Sequence, residues 1–386
     1  RPDRKHIVLA GLLFGVAQLL KFSLVLLIPI DLMLLAAWII TQPMLSWSER
    51  ARMALALAGK MILAGLIALA LIWGTYGILV KNYPQERQLR DAEFLLSSYG
   101  FRPAVNLNLA LIKNSITRPL GQYLLGVLMV QQRSQGGNTA FFLGEVSATG
   151  SRLYFPLLYL VKEPLALHAL TLLALAAAAQ KLFRASRTYP ALMRMRRWIA
   201  DHFTEFSLLA FITFYWLFSI KSPLNIGVRH VLPTFPFIYI LIARQIAPWL
   251  RLPETRETHT LAQWLSRVSR TIAVLPRYAL TGAILFWLVA RTLIAFPHFL
   301  SYYNALGGGT RNGWKVAVDS NYDWGQDLKR LTEFVNRNNI DKISLDYFGG
   351  GTPQYYLGDR FEPWQSSKGP AHGYFAISAT FRQGAY

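Results

Sequence analysis

Three polar clusters interrupt an otherwise apolar chain: FFLGEVSATGSRLYFP at 141–156, KSPLNIGVRH at 221–230 and DSNYDWGQDL at 319–328. In the second, Arg229 and His230 stand side by side at the start of the apolar run VLPTFPFIYI. A guanidinium offers a planar fork of donors matched to phosphate oxygens, and a neighbouring imidazole adds a donor or moves a proton. The plainer reading is an interfacial arginine reaching for water, with the histidine bonded to backbone. Lys21 and Lys162 both adjoin expected helix breaks, Lys162 two residues before Pro164. Ionisable groups at such breaks face a cavity and hold an anion, or they anchor the helix at the interface. Lys21, Lys162, Arg229 and His230 are therefore the candidate ligands of a lipid phosphate.

The first and third clusters supply candidates for sugar or acceptor contact. Glu145, between small residues, reads as a base or sugar ligand, or as a solvated loop acid. Asp319, Asn321 and Asp323 alternate as the first ligands of a calcium loop do. That motif then fails, because Trp324 occupies its glycine position and Arg330 its closing acid. What remains is a helix cap with a turn, or an outer-face contact in which Asp, Asn and Trp meet sugar or acceptor. Asp31, inside an apolar run, reads as a paired group rather than a catalytic one. Gly307–Gly309 and Gly349–Gly351 lack the strand–turn–helix setting of a dinucleotide loop and read as turns. HExxH, G-x-S-x-G and Walker sequences are absent, which leaves metalloprotease, serine hydrolase and P-loop readings without residues. No metal site is assigned, and the chain has no cysteine for a thiolate site or disulfide.

Something must hold these clusters together, and composition says what kind of scaffold. The 386 residues are 53% hydrophobic, with a mean hydropathy of +0.28, too apolar for an ordinary soluble protein. The formal charge of +20 does not point to nucleic acid, because its basic residues sit in short loops between apolar runs. Ile7 to Ile40 would be roughly 50 Å long as a single helix, against a hydrocarbon core of about 30 Å, so it is read as two helices turning at Lys21. Further spans are expected at 55–80, 163–180, 203–220, 230–246 and 278–298, with 116–132 as a helix lying on or dipping into the interface.

Basic residues set the sides. Arg1, Arg4 and Lys5, then Arg50 and Arg52, then Lys181 to Arg197, then Arg244 to Arg277 are all cytoplasmic if the first stretch is a hairpin. The three polar clusters, a long loop over 81–162 and everything after Leu300 then share the outer face. After Ser301 the pattern becomes that of a soluble α/β domain, with a helix over 324–337 opened by Asp323 and Gln326 at capping-box spacing, and strands in KISLDYF and GYFAISAT. The expected fold is an all-α polytopic membrane bundle of about seven to eight spans or half-spans over 1–300, followed by an α/β tail over 301–386. From the opening at Arg1 and the ending at Tyr386 after a strand-like run, a fragment truncated at both ends is expected.

Taken together, GLLFGVAQLLKFS, FFLGEVSATGSRLYFPLLYLVKEPL, LNIGVRHVLPTFPF and YYNALGGGTRNGWKVAVDSNYDWGQDLKRL resemble the protein mannosyltransferase-like branch of bacterial integral-membrane glycosyltransferases, across nearly the whole chain. The resemblance implies the GT-C fold and an inverting transfer of sugar from a polyprenyl-phosphate donor to a protein, lipid or glycan acceptor. It implies residence in the inner (plasma) membrane, with the active face extracytoplasmic. It assigns no cofactor to this portion, leaves a divalent metal open, and gives no role to nucleic acid. In that family the general base is an acid in the first outer loop, which would lie upstream of Arg1. No catalytic carboxylate is thus assigned here, and the portion is expected to be inactive alone. A secondary transporter also has broken helices and buried charges, and a non-catalytic membrane scaffold would lack a base. The long outer loop, the outer tail and the absence of an inverted repeat weigh against the transporter.

Overall fold

The computed structural model describes residues 3–42, 45–184, 190–251 and 260–384. Arg1, Arg187, Arg256 and Tyr386 of the readings above lie outside the described residues, as does the side chain of Arg184. In chain order the helices are α1 Arg4–Leu20, α2 Leu27–Thr41, α3 Trp47–Leu79, α4 Gln85–Leu95, α5 Arg102–Lys113, α6 Arg118–Gly136, α7 Tyr154–Lys162, α8 Leu165–Arg184 and α9 Ala191–Asp201. There follow α10 Phe203–Lys221, α11 Phe235–Trp249, α12 Leu261–Ile272, α13 Leu275–Ala295, α14 Gly309–Asn312, α15 Leu328–Arg337, α16 Pro353–Leu357 and α17 Ala379–Arg382. The strands are β1 Ala140–Phe142, β2 Glu145–Ser147, β3 Ile343–Asp346, β4 Phe361–Pro363 and β5 Tyr374–Ile377.

Among the described residues, five helical stretches are long and apolar enough to cross a membrane: Phe22–Thr41, Trp47–Leu79, Leu165–Leu182, Phe203–Lys221 and Leu261–Ala295. The chain is a helical membrane protein with a small sheet region. α1 and α11, at 17 and 15 residues, are shorter than these five stretches.

The chain divides into two compact units, Arg1–Gly136 with Arg187–Phe214, and Gly137–Ser186 with Tyr215–Tyr386. In the first, the helix break falls at Lys21, which is extended (φ −158°) and exposed. α1 packs along α3, because Gly11 and Gly15, four residues apart, share one face. A Cβ on Gly11 would stand 2.6 Å from the Ala64 carbonyl oxygen, and one on Gly15 3.1 Å from Ala68 Cα. Tyr123 of α6 donates to Gln18 Oε1 (2.9 Å), and Gln18 Nε2 donates to the Leu24 carbonyl (3.0 Å), which ties the break to α6.

The segment expected as a long loop is largely helical. α4, α5 and α6 bury Ala92, Leu96, Val105, Ile112, Leu125 and Leu128 as one apolar cluster. The helix expected to lie at the interface over 116–132 is α6, and its small residues at 121 and 126 bring it against Ile112 and Phe22 inside this unit. Arg50 and Arg196 both donate to the Gln42 carbonyl at the end of α2 (3.1 and 2.7 Å), where the helix dipole favours cations. Asp31 does not find the expected partner: it is exposed on α2, without an ion pair among the described residues.

In the second unit, α7 places Tyr154, Phe155, Leu158 and Val161 on one face, packed with Val231, Phe235, Tyr303 and Ala317. The β1–β2 hairpin turns through Leu143 and Gly144, both at positive φ as a two-residue hairpin requires. It is fastened to the later chain by Leu143 N–H donating to the Val316 carbonyl (2.9 Å). The three-stranded parallel sheet has the order β4–β3–β5 and a core of its own, built from Leu328, Val335, Ile340, Ile343, Leu345 and Leu357.

The helix expected from residue 324 begins four residues later, at Leu328. The proposed capping box does not form, because both of its members are engaged in the preceding turn. Asp323 accepts from the Gly325 and Ala379 N–H groups, and Gln326 Oε1 accepts from Trp324 N–H. Gly325 at φ +83° then turns the chain the wrong way for a helix to begin there.

Candidate functional site

The polar clusters of the second unit converge where α7 ends. Pro164 disfavours helix at the residue before it, so α7 stops at Lys162 and its last carbonyls need partners. Asn304 supplies them: Nδ2 donates to the Leu160 and Glu163 carbonyls (2.7 and 2.8 Å), and its N–H donates to the Val161 carbonyl (2.8 Å). Lys162 Nζ donates to the Leu300 and Asn321 carbonyls, both at 2.7 Å, and lies 4.5 Å from the centroid of the buried Tyr303 ring. Burial pushes its pKa down to about 7, with Glu163 pulling weakly the other way. A neutral amine keeps two N–H groups, enough for both carbonyls.

Asn321 is fully buried and joins three segments. Its Nδ2 donates to Tyr154 Oη (2.9 Å) and to the Val318 carbonyl (3.1 Å), while Oδ1 accepts from Val228 N–H (2.9 Å). Beside it, Ser320 Oγ donates to the Ile226 carbonyl, and Gly227 lies so close to that hydroxyl that a Cβ there would collide with it. Arg229 and His230 are thereby held in the single 3-10 turn Val228–His230. The Arg229 guanidinium lies 4.6 Å from the centroid of the Trp324 ring, a cation–π distance. It is half-buried, and among the described residues no hydrogen bond or ion pair takes up its N–H donors. His230 packs its ring 6.3 Å from that of Phe155.

Asp319 and Asp323 fasten this segment to the end of β5. Asp319 sits at φ +57° and its N–H donates to Thr380 Oγ1 (3.0 Å), whose hydroxyl donates in turn to the Asp323 carbonyl (2.9 Å). Asp323 Oδ2 accepts from Ala379 N–H at 2.7 Å. Burial raises the Asp323 pKa, and the hydrogen bonds from Gly325 and Ala379 oppose that rise.

The candidates thus separate by task. Arg229 and Trp324 present a cation with unspent donors, and His230 is the next residue in the same turn. Lys162 was expected at a phosphate, but two of its donors serve backbone carbonyls. Asn321 was expected at a sugar, but it is buried and fully engaged inside the unit. The Asp323 carboxylate, likewise expected at a sugar, is committed to two backbone N–H groups. Glu145 stands exposed on β2, with no hydrogen bond to any other candidate. Lys21 belongs to the other unit and is exposed there. Among the described residues, no three His, Asp or Glu side chains gather as a metal site would need.

Asn304, Tyr303 and Thr380 carry much of this framework and were given no role from sequence. The signal available was Asn304 itself, an amide just ahead of a glycine run where the apolar grammar gives way to the soluble one. Compared with protein-family models, curated proteins and solved structures, the chain matches none, so the functional reading rests on this geometry and on the sequence motifs.

Proposed function

We propose that the chain is a glycosyltransferase module of the GT-C type that moves a sugar from a polyprenyl-phosphate donor to an acceptor at the extracytoplasmic face of the plasma membrane, with Arg229 binding the donor phosphate. The observation that carries the reading is a guanidinium seated on Trp324 with its donors unspent, six residues ahead of α11. Such a group is oriented before any ligand arrives, and its planar fork suits a phosphate. The reaction is a single displacement at the anomeric carbon. The acceptor oxygen forms the new bond as the bond to the lipid phosphate breaks, and the phosphate leaves with its negative charge. That leaving group needs charge stabilisation more than a proton, which is the role given to Arg229. The acceptor's proton goes to a base that is assigned to no residue of this chain.

Purified protein in nanodiscs, titrated with undecaprenyl phosphate, tests the assignment. Arg229→Ala is expected to weaken binding by about 10- to 100-fold, the scale of a charge-assisted hydrogen bond. Arg229→Lys should fall between, because it keeps the charge and loses the fork. Wild-type affinity in Arg229→Ala would overturn the role of Arg229. Transfer of labelled sugar from a polyprenyl-phosphate hexose by the full-length protein tests the activity itself, and solute uptake by proteoliposomes without transfer would favour a transporter.

A further inference from the structure

The stretch Leu261–Ala295 is long and apolar enough to be one span, but its length does not fit a bilayer. Its 35 residues would run on the order of 52 Å, against a hydrocarbon core of about 30 Å. The stretch is in fact two helices, with α12 ending at Ile272 and α13 beginning at Leu275, where Pro276 occupies the first turn. α13 alone has 21 residues, about 31 Å, and suffices for the crossing. α12 is therefore left outside the hydrocarbon.

Its sequence, LAQWLSRVSRTI, has two faces. Leu261, Trp264, Leu265, Val268 and Ile272 recur at helical spacing on one side, and Gln263, Ser266, Arg267 and Arg270 on the other. Leu261, Trp264, Leu265 and Ile272 are 51–72% exposed, so this apolar side is not buried against the other described residues. Thr260 caps the helix, its hydroxyl accepting from Gln263 N–H (3.3 Å), so the helix is defined in its own right. The polar side is cationic, and no Asp or Glu occurs between Thr260 and Leu300.

We infer that α12 is an in-plane anchor whose partner is an anionic lipid surface, with the apolar face sunk at the headgroup–acyl boundary and Arg267 and Arg270 on lipid phosphates. An amphipathic helix with Trp and Leu on one side and arginine on the other gains both from apolar burial and from attraction to anionic lipid. The connection to a span fixes that surface within reach. This inference does not rest on the glycosyltransferase reading.

The chain has no cysteine, so single labelling sites are clean. Leu265→Cys and Ser266→Cys, each carrying an environment-sensitive fluorophore, are reconstituted in phosphatidylcholine vesicles with and without phosphatidylglycerol. The label at 265 is expected to be blue-shifted and quenched by spin-labelled acyl chains, and the label at 266 to stay wet. Phosphatidylglycerol should deepen the shift at 265, and Arg267→Gln with Arg270→Gln should abolish that added shift while leaving the fold, judged by the circular dichroism of the purified protein, unchanged. Equal quenching at both positions would mean that α12 spans, and would overturn the inference. So would a label at 265 that is dry but inaccessible to lipid quenchers, the mark of a protein partner, or a shift indifferent to lipid charge.

Discussion

Lys162 and Asn321 bear on stability through what they leave unpaired when removed. Asn321→Ala would strip the half-buried Val228 N–H of the acceptor that the buried Asn321 side chain provides and cost about 1–3 kcal/mol, the penalty of an unmade hydrogen bond. Thermal unfolding in detergent checks this, and an unchanged melting temperature would remove Asn321 from the framework. Lys162 should give a pH signature. Its folded pKa of about 7 lies below the ordinary value of 10.5, so between those values the unfolded chain holds the proton that the folded chain has released. Stability from this group therefore rises with pH across that window and is flat below it. The stability of wild type relative to Lys162→Met is expected to rise from pH 7 to pH 10, as the cost of the buried charge is relieved, and parallel curves would show that Lys162 stays charged. At this scale the sequence is legible only in part. Residue type and adjacency single out Arg229 and His230, but nothing local tells that Trp324 comes to lie under Arg229. Nor does the alternation of Asp319, Asn321 and Asp323 tell that the middle residue turns inward, because that depends on Val228 and Tyr154 arriving from distant segments.

Elements show the same division between local and non-local causes. The break at Lys21 follows from length against bilayer thickness, and the strands β3 and β5 from their local pattern, so both can be read in one dimension. The start of α15 cannot, because Asp323 has two uses and the one that wins, accepting from Ala379, requires β5 to be in place. The packing of α1 on α3 lies between these cases. Gly11 and Gly15 have the spacing of a close helix contact, but the sequence does not say which helix meets them. Gly11→Leu would drive a side chain into the Ala64 carbonyl and the Ile67 side chain, and overpacking of this kind costs about 1–3 kcal/mol. The same substitution at Gly65, where a Cβ would meet nothing within 4 Å, should be close to neutral. Equal melting temperatures for the two variants would mean that α1 and α3 do not depend on that approach.

For the whole molecule, the orientation in the membrane decides whether the Arg229 site can meet a donor on the outer face. Basic residues gather at the ends of the apolar helices in a way that repeats: Arg50 and Arg52 at the start of α3, Arg194, Arg196 and Arg197 on α9, and Arg267 and Arg270 ahead of α13 with Arg277 in its first turn. Short basic segments are retained in the cytoplasm, so these ends are expected inside. The opposite ends of the same helices are then outside, among them the end of α13 and the sheet region that follows it. The orientation we propose is therefore set by the arginines and is independent of the chemistry assigned to Arg229. Single cysteines separate the two possibilities, since the native chain contributes no thiol background. Ser366→Cys, beyond β4, should react with a membrane-impermeant maleimide on intact cells, whereas Ser48→Cys, in the first turn of α3, should react only after the membrane is opened. Labelling of Ser48→Cys in intact cells would invert the protein. It would place the Arg229 turn on the inner face, where the proposed extracytoplasmic transfer could not occur, even if undecaprenyl phosphate still bound.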